Sequence, residues 1–186
     1  MKPSWIVIGL LASLPAMAQQ VWSDEARSTA AAVPPKLLAV LKAEIDKGGP
    51  AGAIAVCQEQ APKMAQAASQ QSGWAIRRVS LRNRNPKAVP DAWERAALED
   101  FDRRAAAGEP AHALERSEIV TVDGKPMQRY MRALPVQELC TACHGPAEGL
   151  DASVKAQLQR LYPDDRGTGY HVGQIRGAIT LKRPAP

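Results

Sequence analysis

Two of the chain's three cysteines stand in 139-LCTACHGPAE-148, with a histidine directly after the second. A separation of three positions lets two thiols each add across a vinyl group on one edge of a porphyrin. Each addition forms a carbon–sulfur bond, and the thiol proton goes to the neighbouring vinyl carbon. A histidine next in line then lies beneath the iron as its proximal ligand. Cys140, Cys143 and His144 therefore form the Cys-x-x-Cys-His signature of covalent c-type haem attachment. Two other chemistries use the same residues. A thioredoxin-like dithiol wants its first cysteine at the start of a long helix in a βαβ unit, and Pro146 and Gly149 leave little room for one. A zinc site built from Cys57, Cys140, Cys143 and a histidine is the stronger rival.

Compartment bears on that choice. Residues 1–18, MKPSWIVIGLLASLPAMA, combine Lys2, an apolar run from Trp5 to Leu14 and the small residues Ala16 and Ala18. This is the pattern of a secretory signal cleaved after about Ala18, and the run is too short to span a bilayer. The expectation is a periplasmic protein with no membrane span after cleavage. Haem attachment of this type takes place outside the cytoplasm, so leader and motif agree. A net charge of +5 would suit nucleic acid, but export and the lack of aromatics interleaved with the basic residues argue against that partner. An acidic protein partner is the better match for a basic surface. Aromatic residues make up only 4% of the chain, and a large flat cofactor would offset so thin an apolar inventory.

The elements that must position the motif follow from periodicity. Residues 19–34 are polar and alanine-rich, end in Val33-Pro34-Pro35, and read as an irregular lead-in to one domain spanning 35–183. Leu37, Leu41 and Ile45 mark a helix stopped by Gly48-Gly49-Pro50. A second helix runs from about Ala51 to Gln71 with Ile54, Cys57, Ala61, Met64 and Ala68 on one face and a break expected at Pro62. Trp74 to Leu81 turns strand-like, and Asp91 with Glu94 caps a helix that Gly108 ends. Residues 118–136 form a hairpin about Asp123-Gly124, and the Cys-x-x-Cys-His segment follows its second strand. A short helix through Val154, Leu158 and Leu161 and a final strand over 175–182 complete an α+β domain with an antiparallel sheet.

An iron held by His144 has a second axial position. Cys57, His112, His171, Met64, Met127 and Met131 are the side chains able to fill it. His112 reads as a surface residue and Met131 as core. Cys57 is an unpaired thiol in an exported chain, a liability that an iron–thiolate bond would protect. Arg82 and Arg84 are candidates for haem propionates. Pro86 and Pro90 mark a tightly specified turn, so a backbone-fixing role for that loop is slightly favoured. No paired carboxylates, nucleophile–base couple or phosphate loop stands out, so an enzyme is not expected. A peroxidase would need His112 or His171 as its distal group.

The stretches 57-CQEQAP-62, 79-VSLRNRNPKAVPDAWE-94, 140-CTACHG-145 and 162-YPDDRGTGYHVGQIRGAIT-180 resemble the c-type haem domains with a PAS-like fold found in cyanobacterial extracytoplasmic proteins and in bacterial sensor modules. The resemblance spans about Leu37 to Leu181. It implies a PAS-like antiparallel sheet flanked by helices and one covalently attached haem c. It also implies axial ligation by His144 and Cys57 and a role in redox or ligand sensing. The resulting expectation is a monohaem sensor of redox state or a diatomic gas that signals through an unidentified protein partner. A c-type cytochrome carrying electrons with fixed ligands is the alternative.

Overall fold

The computed structural model describes residues 14–186, with side chains from residue 20 onward. Most of the expected leader lies outside the described residues, and its cleavage point falls in the first turns of α1 (Leu14–Ser72). Among the described residues no helix is long and apolar enough to cross a membrane.

α1 is two limbs. Gly48 and Gly49 leave helical geometry, and Gly49 takes a φ of 71° that favours glycine. Val33 and Ala68 nevertheless pack against one hydrophobic cluster. A straight helix would hold them about 50 Å apart, so the limbs fold back on each other at the glycine pair. The break expected at Gly48-Gly49-Pro50 is present; the break at Pro62 is not. Pro62 is exposed, and so is Gln58, whose carbonyl the missing N–H would have bonded. Water can satisfy that carbonyl, and the helix continues.

Residues 19–34 also depart from expectation. They are helical through Pro34 and Pro35, and Trp22, Ala26 and Ala30 are buried at i, i+4, i+8. This stripe packs on Trp74, Ile76, Tyr130, Ile179 and Leu181. Alanine is the best helix former, and the prolines fall where Pro35 and Ala31 are exposed. Glu25 accepts from the Trp74 indole at 3.0 Å, and Arg27 donates to Glu115, which also accepts from the Tyr130 hydroxyl at 2.6 Å. The lead-in is thus part of the domain.

The sheet has four antiparallel strands in the order β1-β4-β3-β2: β1 Ala75–Val79, β2 Glu115–Val122, β3 Lys125–Pro135 and β4 Ile175–Pro184. Asp123 and Gly124, with φ of 50° and 74°, make the β2–β3 turn as expected. One face carries α1. The other carries α2 (Ala92–Ala106), where Ala97, Leu98 and Phe101 pack on Val79, Leu114, Met131 and Ala178. This is the α+β architecture expected, a helix-flanked antiparallel sheet consistent with a PAS-like fold. The Pro-Asp-x-Trp-Glu stretch is structural. Asp91 and Glu94 form a capping box, buried Glu94 pairs with Arg77, and the Trp93 indole donates to Glu118 at 2.8 Å.

Candidate functional site

β3 delivers the chain to α3 (Glu138–His144), a seven-residue helix carrying Cys140, Cys143 and His144. A strap over 165–170 clamps its end. The amides of Gly169 and Tyr170 donate to the carbonyls of Gly145 and His144 at 2.7 and 2.9 Å. The Gly167 carbonyl lies 2.6 Å from His144 Nδ1. Arg176 Nε points a donor at the same nitrogen at 3.1 Å, so Nδ1 stands between a carbonyl that only accepts and a guanidinium that only donates. The shorter Gly167 contact is the one that a protonated Nδ1 makes, and in that tautomer Nε2 keeps its lone pair. A fixed Nδ1–H bond of this kind orients a ligating imidazole. Burial, then Arg176, Arg84 and Arg78, hold the His144 pKa well below the usual histidine range. The ring is neutral at neutral pH, the form that binds a metal.

The arginines are organised by the loop after β1 and by β4. Arg84 Nη2 donates to the Cys143 carbonyl at 2.6 Å and pairs with Asp165 at 2.9 Å. Asp165 also accepts from the Gly167 amide at 2.7 Å, which sets the strap. Arg82 donates to the Thr168 carbonyl and stacks on Tyr170, its guanidinium carbon 4.1 Å from the ring centre. Both residues weighed for propionates are thus engaged with protein groups, chiefly main chain. Arg176 on β4 reaches Ser80 Oγ at 2.9 Å and the Arg82 carbonyl at 3.1 Å. A Cβ at Gly167 would stand 2.4 Å from Arg176 Nη2, so a side chain there would have to push that guanidinium aside.

α1 reaches this helix with its second limb. Cys143 Sγ lies 3.9 Å from the Pro50 carbonyl, and Cys143 packs at the edge of the cluster of Ile54, Leu150, Val154 and Leu158. The last three belong to or precede α4 (Ala152–Leu161). Cys57, two turns beyond Pro50, is half-buried and close enough to Cys143 for its charge to push the Cys143 pKa up, after burial itself. Burial raises the Cys57 pKa too, opposed by Arg78 and Arg84. All three thiols are free. Among the described residues, no three or more His, Cys, Asp or Glu side chains are grouped to hold a metal ion directly. His112 and His171 are exposed, and Met131 is fully buried against α2.

Sequence reasoning missed Arg78, Arg176 and the strap. Arg78 had a signal. It shares the sheet face of buried Ile76, where strand alternation calls for an apolar residue.

The profile of the Tll0287-like family matches residues 12–184. The chain belongs to the Tll0287-like family. A solved structure similar to it is that of the cyanobacterial haem protein Tll0287, at 26% identity, covering 94% of this chain and 98% of that one, with a TM-score of 0.59. No curated protein matches the chain. The Tll0287-like assignment takes in the α1 hairpin, the strap and the Cys-x-x-Cys-His helix together, since the matched residues include all of them.

Proposed function

We propose that this protein is a periplasmic, monohaem c-type sensor of redox state or of a small iron ligand. The observation that carries the reading is the state of His144. It is a neutral imidazole fixed at Nδ1 between the Gly167 carbonyl and Arg176 Nε, with no hydrogen bond to Nε2 among the described residues, on the same short helix as two unpaired thiols. That donor set fits a haem tethered through Cys140 and Cys143. A direct zinc site needs its sulfurs gathered around one ion, and the cysteines lack that grouping among the described residues. The name of the similar haem protein supports the same cofactor.

Bound here, the haem supplies an iron that takes up one electron and exchanges axial ligands. His144 would ligate that iron, with the strap fixing its imidazole. Cys57, on the second limb of α1, would supply a second iron ligand. As a thiolate it favours the ferric state and lowers the reduction potential. Loss of a Cys57 bond on reduction would leave the second limb able to shift about Gly48 and Gly49, giving a partner protein two states to read. The limb is otherwise fastened by Ile54 to α4 and by Ala68 near the sheet.

The experiment is the ferric optical spectrum of Cys57→Ser after expression with a c-type maturation system. Loss of the thiolate bands is the expected result. A spectrum identical to wild type would remove Cys57 from the iron. Reversible reduction without ligand loss or CO binding would favour the electron carrier.

A further inference from the structure

The Arg78 side chain has neither a hydrogen bond nor an ion pair among the described residues, although the site's other arginines are engaged. It pairs in register with Ile179 in the sheet, on the face that α1 covers, yet its side chain is exposed. Cys140, Arg84, Tyr170 and Cys57 are the groups whose charges act on it. It therefore stands in an open cleft between the sheet, α3 and the second limb of α1. The charge around it is unbalanced. Arg78, Arg84 and Arg176 are near enough to act on one another, and burial, then Arg78, lowers the Arg176 pKa to about 9. Asp165 acts on Arg176 but is already bonded to Arg84, and Glu44, which acts on Cys57, is paired with Lys47. An apolar side chain at position 78 would continue the face of Ile76 at no electrostatic cost. An arginine there, beside two others, adds to a positive field that attracts an anion.

We propose that this cleft accepts a small inorganic anion of the azide or cyanide class at the iron position opposite His144, in exchange for Cys57, and that Arg78 selects anions over neutral ligands. The inference rests on the haem reading above. A departing thiolate removes one negative charge from beside Arg78, and an incoming anion restores it. The exchange swaps one donor for another and transfers no electrons.

The test uses haem-loaded C57A protein, which opens the position without reduction. Azide and imidazole are titrated at fixed ionic strength while the main haem absorption band is followed. Adding R78Q should weaken azide about ten-fold or more, the worth of a hydrogen bond to a charged group, while imidazole stays within about two-fold. R78K, which keeps the charge, should recover most of the azide affinity. Equal changes for azide and imidazole, or an unchanged azide affinity, would overturn the role of Arg78. Covalent haem that imidazole does not shift would show that Cys57 does not guard the position, and the proposal would fall with that ligation. Absence of covalent haem would refute the haem reading itself.

Discussion

Asp165→Asn tests whether the strap is locked electrostatically. The Arg84 and Asp165 side chains are only 11% and 9% exposed, with Nε to Oδ2 at 3.0 Å and a second approach of 2.9 Å. Asparagine keeps a carbonyl to accept from the Gly167 amide, so the change removes mainly charge. It leaves the Arg84 guanidinium with the Cys143 carbonyl alone, beside Arg78 and Arg176. Removing one partner of a buried pair costs about 3–5 kcal/mol. The isosteric change belongs at the lower end, about 3 kcal/mol, a large part of a typical domain's stability. Urea unfolding followed by tryptophan fluorescence measures it. A cycle with Arg84→Met should show coupling of about 2 kcal/mol, because the double variant buries no orphaned charge. A loss below about 1 kcal/mol, or additive single effects, would mean that the pair does not hold the strap.

Other consequences can be checked in the same way. Trp22→Ala should destabilise by about 3–5 kcal/mol in urea unfolding, because Trp22 is core and not lead-in. Gly177→Ala should cost more than about 1 kcal/mol by the same measurement; Gly177 has a φ of 156° and a Cβ there would lie 2.3 Å from the Val79 carbonyl. The Glu115 pKa is lowered, first by its hydrogen bond from Arg27. A depressed carboxyl stabilises the fold above its unfolded pKa of about 4.3 and loses that contribution as pH falls through the folded value. Glu115→Gln should therefore flatten the fall in unfolding midpoint on the acid side of that range, and an unchanged pH profile would contradict the Arg27–Glu115 link.

Local patterns were legible and long-range ones were not. Cys-x-x-Cys-His is a contiguous motif whose spacing is its chemistry. The Asp91–Glu94 capping box and the Asp123-Gly124 turn act over three or four residues, and the structure has both. Gly48-Gly49-Pro50 announced the reversal that brings Cys57 back toward α3. The alanine-rich segment before Val33 was misread because two prolines looked like a stop. Its helicity comes from packing Trp22, Ala26 and Ala30 on the sheet, which propensity alone does not encode. The strap left no pattern because it works through main-chain groups, Gly167 carbonyl to His144 and Gly169 and Tyr170 amides to α3. Arg84 meets Asp165 across 81 positions. Arg78 was visible only as a charge at a strand position on the face of buried Ile76, a local conflict of the sort expected at functional sites.

The central claim is that Cys140 and Cys143 tether a haem that His144 ligates. Its most direct test is an intact mass of the protein, expressed with a c-type maturation system, beside a pyridine haemochrome of the denatured chain. The account predicts a mass increased by one haem and a c-type haemochrome, both lost in a variant carrying Cys140→Ala and Cys143→Ala. An unmodified mass with the thiols still free would contradict it.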